Sequence, residues 1–246
     1  MLIEDHRVSK SAIFKFKKFD VDQSGCAMKI NTDGVLLGAL ADADLPKTIL
    51  DIGTGTGVIA LMLAQRFADA QIDAVEIDEP AAQTAKCNFA NSPFAQRLAA
   101  YPVGFEEFFE KYPGKKYDLI VSNPPFYINS LKSPQKNKEV AKHSDMDFFE
   151  RLIKDAAAHL SENGTCCLIL PSDTAELVKR IGGEHELFLT KSKAIRSFSG
   201  SEPHRMISSF GSKQTAISEM DFTIYKAINV YSEEYIKLLQ PYFIAF

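Results

Sequence analysis

Tryptophan is absent from this sequence and cysteine is scarce, with four residues at positions 26, 87, 166 and 167. None forms a Cys-x-x-Cys pair, which argues against a zinc site and against a dithiol redox motif, so no metal is expected. Cys166 and Cys167 sit in the apolar run Cys166-Cys167-Leu168-Ile169-Leu170 and read as small core hydrophobes. No apolar run approaches the roughly 20 residues needed to span a bilayer. The opening residues, Met1-Leu2-Ile3-Glu4-Asp5-His6, lack the basic-then-apolar pattern of a secretory signal. Positive charge is also short: 28 Lys and Arg against 32 Asp and Glu give a formal net charge of −4. Nucleic-acid binding would therefore need a local basic patch rather than a global field. The expectation is a soluble cytoplasmic protein, monomeric, with no membrane partner.

The length, 246 residues, suits one large α/β domain, or a core with a small appendage. No repeat, low-complexity tract or Pro/Gly/Ser linker divides it. Thr48-Ile49-Leu50-Asp51-Ile52 reads as a buried strand, followed by a glycine-rich turn and an apolar-periodic helix over 58–67. Ile72 to Glu76 is a second strand, and Pro80 to about Asn91 a second helix with proline in its first turn. Strand-like runs recur at 117–121 and 165–170, the latter after a helix near 146–160 that ends at Asn163-Gly164. Strands alternating with helices imply a doubly wound, mostly parallel sheet with right-handed crossovers.

Past Pro171 a helix near 172–181 gives way to β-like stretches at 186–198, 205–210 and 219–230. A polar, turn-rich segment joins the last two, which predicts an antiparallel hairpin between them at the sheet edge. Ser232-Glu233-Glu234 is an N-cap with acidic first-turn residues opening a terminal helix. The division expected within a single domain is an N-terminal segment, 1–46, a Rossmann-like core, 47–184, and an edge hairpin with a C-terminal helix, 185–246.

The loop Asp51-Ile52-Gly53-Thr54-Gly55-Thr56-Gly57 lies between the first core strand and its helix. Glycines there let the backbone turn tightly and let a ligand approach closely. The dinucleotide fingerprint would place a third glycine at position 58, but that residue is Val58 and the glycine comes one residue early, at Gly57. The spacing argues against a nicotinamide cofactor. Glu76 closes the second strand, 23 residues after Gly53, where a carboxylate accepts from the ribose hydroxyls of an adenosine-containing ligand. The alternative for Glu76 is a solvated surface carboxylate. Asp78 reads as exposed or as a support to Glu76, and Asp51 is expected to orient the glycine loop through its backbone amides.

Asn123-Pro124-Pro125-Phe126 follows the strand 117–121, at a carboxyl end of the sheet where ligands of open α/β folds bind. The two prolines fix φ and remove two donors, leaving a stiff segment that presents acceptors. An exocyclic amine on an aromatic ring is a poor nucleophile because its lone pair is delocalised. The Asn123 side-chain oxygen and the Pro124 carbonyl can each accept one amine hydrogen, holding the nitrogen in line with a methyl donor. Orientation is the contribution, and no titrating base is required. Phe126 would stack on the planar target, a contact worth roughly 1–3 kcal/mol. The base must be unpaired or flipped out, because its amine lies on a pairing edge. A rigid Pro-Pro turn capping a strand is the plainer reading of the same four residues.

Together the glycine loop, the acidic strand end and Asn-Pro-Pro-Phe resemble the amino-methylating class I methyltransferases, which bind S-adenosylmethionine. The segment from Ala27 to Gly38 (Ala-Met-Lys-Ile-Asn-Thr-Asp-Gly-Val-Leu-Leu-Gly) and the ending from Tyr231 to Phe246 are similar to those of the bacterial tRNA1(Val) N6-adenine methyltransferases. The resemblance covers nearly the whole chain. It implies a class I fold with a seven-stranded sheet and methylation of the adenine at tRNA position 37, beside the anticodon. It implies a cofactor pocket that adds Lys29, Asp33, Ile77, Phe105 and Asn123 to Asp51, Gly53, Gly55, Gly57 and Glu76. Thr32 or Asp33 also reads as the cap of a helix beginning near Val35. One departure stands out: where many relatives carry an acidic residue after the third strand, this chain has Gly104-Phe105-Glu106. The carboxylate is displaced to Glu106 or missing, and backbone groups near Gly104 and Phe105 remain to make the contact.

Two stretches carry local positive charge. Between Tyr127 and His143, lysines 132, 136, 138 and 142 face only Glu139; from Leu189 to Thr215, Lys191, Lys193, Arg196, Arg205 and Lys213 face only Glu202. These are candidates for phosphate contacts that position RNA without reading it, or solvated charge guarding a sheet edge. Neither His143 nor His204 is given a catalytic role. The competing functions are N5-glutamine methylation of a protein release factor, methylation of DNA adenine or ribosomal guanine, a nucleotide-binding oxidoreductase, and a non-catalytic RNA-binding module. Release-factor enzymes usually carry a sizeable helical domain ahead of the loop, and only about 50 residues precede it here. No extra target-recognition domain is evident for DNA.

Overall fold

The structure, a computed structural model, describes the backbone of residues 13–125 and 136–246 and every side chain in those spans except 136–145. A short antiparallel pair, β1 (Ile13–Lys15) and β2 (Asp20–Asp22), precedes α1 (Thr32–Leu40). Strands and helices then alternate through β3 (Thr48–Ile52), α2 (Val58–Arg66), β4 (Gln71–Val75), α3 (Glu79–Ala90), β5 (Leu98–Tyr101), α4 (Phe105–Lys111) and β6 (Tyr117–Ser122). They continue as α5 (Lys136–His159), β7 (Leu160–Leu170), α6 (Ser172–Glu184), β8 (Phe188–Phe198), β9 (Arg205–Gly211), β10 (Ser218–Ala227), β11 (Val230–Tyr231) and α7 (Glu233–Leu239). Among the described residues no helix is long and apolar enough to cross a membrane.

The main sheet runs β11-β10-β8-β9-β7-β6-β3-β4-β5. The pairs β3–β4, β4–β5, β3–β6, β6–β7 and β8–β10 are parallel, as a doubly wound fold requires. The chain winds outward from β3 through β4 to β5, then returns to lay β6 on the other side of β3. That reversal opens a crevice at the carboxyl ends of β3 and β6.

The central strands read as near-continuous apolar runs because both faces of the sheet are covered. Ile49, Leu119, Cys167 and Ile169 point to one side and pack with α1 and α2. Leu50, Ile52, Ile120, Cys166 and Leu168 point to the other and pack with α4, α5 and α6. Both Cys166 and Cys167 are fully buried, as small core residues. Helix α2, buried from Val58 through Ala64, is apolar all round because it lies between the sheet and α1. On that same side Phe16 bridges to Phe243 and stacks on Phe19. Ser232 caps α7 as expected, its Oγ accepting from the Tyr235 amide at 3.0 Å.

Four local expectations are corrected. The antiparallel hairpin at the sheet edge is β10 with β11, while 205–210 pairs with β8 and β7 rather than with 219–230. Strand β9 is buried over Ile207–Phe210 and slots between β7 and β8, while 212–217 carries the chain past β8 so that β10 runs parallel to it. The sheet has nine strands, two more than the seven expected. The helix before β7 starts earlier and stops at His159; Asn163-Gly164 belongs to β7. There the register against β6 shifts, and a Cβ on Gly164 would lie 2.7 Å from the Tyr117 carbonyl oxygen, so glycine serves a close strand approach. Finally, α1 is capped by Asn31, whose Oδ1 accepts from the Gly34 amide at 2.9 Å, rather than by Thr32 or Asp33.

Candidate active site

Beyond the end of β3 the backbone alternates into left-handed conformations at Gly53, Gly55 and Gly57, with φ of 72°, 54° and 83°. The amides of Gly53 and Thr54 donate to the Val75 carbonyl at 2.9 and 3.1 Å, tying the loop to the end of β4. A Cβ placed on Gly53 or Gly55 would meet nothing within 4 Å, so that side of the loop is open to a ligand. Gly57 serves a different need: its Cβ would stand 2.5 Å from the Phe89 ring.

Glu76 stands one residue past β4 and is half-buried. Its Oε2 accepts from the Gly55 amide at 2.9 Å and its Oε1 from the Asp78 amide at 3.0 Å. The carboxylate is thereby held over the loop, each oxygen keeping a lone pair for a further donor. Asp78 is exposed and caps α3 through the Ala81 amide at 3.2 Å.

Asp51 corrects one expectation, because it bonds no loop amide. Its Oδ2 accepts from the Thr54 hydroxyl at 2.6 Å, and Oδ1, fully buried, has no hydrogen-bond partner among the described residues. Burial pushes the carboxyl up to about 7, against the lowering pull of the Thr54 hydroxyl and the Ala60 amide. The amides of the loop are served instead by Glu76 and β4. Asn88, which sequence reading passed over, locks the loop from behind: its Nδ2 donates to the carbonyls of Thr56 at 2.9 Å and Asp22 at 2.8 Å, and its Oδ1 accepts from the Asp22 amide. The available signal was an asparagine on the buried stripe Ala81, Ala85, Asn88, Phe89 of an otherwise amphipathic helix.

On the far wall, Ile77 is 79% exposed, and its Cδ1 would sit 3.6 Å from a Cβ on Gly104. These two residues lie side by side at the ends of β4 and β5, an exposed apolar surface. Phe105 turns its ring into the core against Phe148, leaving its backbone amide at the first turn of α4, where no helical acceptor exists. The Glu106 carboxylate is engaged by Arg151 at 3.2 Å.

At the end of β6 the Ser122 hydroxyl donates to the Ile52 carbonyl at 2.8 Å, fixing that strand end to β3. Asn123 follows, half-buried, with Pro124 buried and Pro125 exposed. Asn123 and Pro124 thus open the same crevice as the glycine loop. Phe126, residues 127–135, and the side chains of Lys136, Lys138, Glu139, Lys142 and His143 lie outside the described residues.

Lys29 is exposed in the loop before α1. Asp33 pairs with Arg205 of β9 at 2.7 Å, so its carboxylate braces α1 rather than facing open space. The basic stretch 189–215 is largely neutralised by acids distant in sequence. Lys191 pairs with Asp42, Arg196 with Asp221, Arg205 with Asp33, and Lys213 with Glu162 and Asn163. Of the five, Lys193 alone has no hydrogen-bond or ion-pair partner among the described residues.

Over residues 26–181 the chain matches the family described as methyltransferase small domain. A protein of Pedobacter heparinus named tRNA1(Val) (adenine(37)-N6)-methyltransferase is 46% identical, over 95% of this chain and 98% of its own length. A Porphyromonas gingivalis protein of the same name is 42% identical over 94% of each chain. The solved structure of a protein described as a predicted O-methyltransferase from Agrobacterium tumefaciens superposes with a TM-score of 0.63 at 16% identity, covering 85% of this chain and 96% of its own. That likeness concerns the fold alone. The chain belongs to the methyltransferase small-domain family, in the branch whose curated members are named tRNA1(Val) (adenine(37)-N6)-methyltransferases.

Proposed function

We propose that this protein transfers a methyl group from S-adenosylmethionine to the N6 amine of an adenine in tRNA. The proposed target is position 37, beside the anticodon of tRNA1(Val), and the reaction takes place in the cytoplasm. The observation that carries the reading is the meeting of Asn123-Pro124, at the end of β6, with the glycine loop and Glu76 at the ends of β3 and β4. The name shared by the relatives supports the choice of substrate.

The residues fit the cofactor. Glu76 offers acceptors to two ribose hydroxyls, the exposed Ile77 beside Gly104 gives an apolar surface for an adenine ring, and the open side of Gly53 and Gly55 leaves room for the sulfonium-bearing chain. Asp51 Oδ1 stands buried beneath that loop without a donor, ready for one brought in by a ligand or its water. When bound, S-adenosylmethionine supplies an electrophilic methyl on sulfur.

The remaining work falls to this chain. Asn123 Oδ1 and the Pro124 carbonyl each accept a hydrogen bond from one N6 hydrogen, which turns the nitrogen lone pair out of conjugation and toward the place of the donor's methyl. The donor would give its methyl to N6 and keep the bonding electron pair on sulfur, while Asn123 and Pro124 hold N6 as one of its protons is lost to water. Phe126 stacks on the flipped base.

Calorimetric titration separates this reading from a dinucleotide enzyme. S-adenosylmethionine binds and NAD does not, and Glu76→Ala weakens the former by about 30- to 150-fold, on the order of 2–3 kcal/mol for two hydrogen bonds to a carboxylate. NAD binding, or unchanged S-adenosylmethionine affinity in the variant, counts against it.

A further inference from the structure

Helix α1 packs on β7 and β9 and ends at Leu40. Past its end lies a cavity of about 390 Å³, floored by Leu40 and Ile207 and walled by Asp42, Arg66, Lys191 and Lys193. Side chains alternate across a strand, so Lys191 and Lys193 share a face with the buried Ile195. The lysines therefore stand where the covered core ends and the open cavity begins.

The charges there do not balance. Asp42 is the single carboxylate in the wall, facing three cations. Lys191 Nζ holds its Oδ2 at 2.7 Å. Lys191 first, then Arg66 and Lys193 more weakly, keep the Asp42 carboxyl below its ordinary range, so all three act on one group. Arg66 donates to the Gly38 and Ala41 carbonyls at 3.1 and 2.6 Å at the end of α1. A helix end carries roughly half a negative charge, so the wall keeps an excess of about +1.5. Lys193, half-buried and without a hydrogen-bond or ion-pair partner among the described residues, is the group with donors to spare.

We propose that this cavity binds a phosphate group, and that during the reaction it holds a backbone phosphate of the RNA. The second part rests on the RNA reading above. Register places the cavity well for that role. Ser122 lies opposite Leu168, Ile169 opposite Ile207, and Ile207 opposite Lys193. Lys193 is therefore level with Asn123 and three strands away, about 14 Å across the sheet. A strand whose flipped base occupies the crevice would pass a phosphate over the cavity within a few nucleotides. Such a contact positions RNA without reading sequence.

Lys193→Gln tests this, with Lys193→Arg as the rescue. In the glutamine variant KM for tRNA rises about five- to tenfold, kcat and S-adenosylmethionine affinity stay unchanged, and the slope of log affinity against log salt falls by about one. Arginine restores both KM and the slope. In parallel, inorganic pyrophosphate is titrated into wild type and Lys193→Gln by calorimetry. Loss of both tRNA affinity and pyrophosphate binding assigns the site to the RNA backbone. Loss of pyrophosphate binding alone keeps the phosphate site and assigns it to a free phosphate ligand. No change in either overturns the proposal and leaves the lysines as counter-charges for Asp42. Should wild type neither bind nor methylate tRNA while binding pyrophosphate through Lys193, the RNA reading fails and the phosphate site stands.

Discussion

Replacing Asn123 with alanine is expected to lower methyl transfer by about 10²- to 10³-fold, the scale of losing one positioned hydrogen-bond partner at a reacting centre. S-adenosylmethionine should still bind nearly as tightly, because its proposed contacts lie with Glu76 and the glycine loop at the ends of β3 and β4. The prediction follows from the division of labour in the crevice. The amine nitrogen must be stripped of conjugation before it can attack, and Asn123 Oδ1 is one of two acceptors able to do this. Single-turnover transfer of a labelled methyl, paired with calorimetry for the cofactor, separates the outcomes. A parallel loss of cofactor affinity would mean that Asn123 holds the donor rather than the acceptor. Full activity would remove it from the chemistry.

The other large effect is structural. Gly57→Ala places a Cβ 2.5 Å from the Phe89 ring at a residue whose φ is 83°. Left-handed strain costs about 1–2 kcal/mol and overpacking about 1–3, so a loss of roughly 2–5 kcal/mol is expected. For a chain of this size that lowers Tm by about 5–15 °C, measurable by differential scanning fluorimetry. Gly57→Ala combined with Phe89→Leu should recover part of the loss, since it relieves the clash and leaves the strain. A Gly57→Ala protein as stable as wild type would show that the loop can shift away from Phe89, and that its shape is less fixed than described.

Much of the site was readable because its pieces are local. The loop, Glu76 and Asn123-Pro124 each sit at a strand end, and strand ends were legible from apolar runs. The failures were non-local. Nothing in the sequence around 189–215 announces that Lys191 will meet Asp42, 149 residues away, or Arg205 meet Asp33, 172 away. The apparent basic patch therefore dissolves into ion pairs, with Lys193 left over. Strand β9 was assigned to the wrong partner for the same reason, since a polar turn fixes where a chain bends and not which strand it returns beside. Asn88 was missed because an asparagine in a helix reads as surface until its partners at Thr56 and Asp22 are seen.

The most direct test is to incubate the protein with S-adenosylmethionine and tRNA lacking the modification, then digest the tRNA and map methylated nucleosides by mass spectrometry. N6-methyladenosine at position 37 of tRNA1(Val), absent with the Asn123→Ala protein, is the predicted result. An unmodified tRNA, or methyl found only on another nucleoside, would contradict the account.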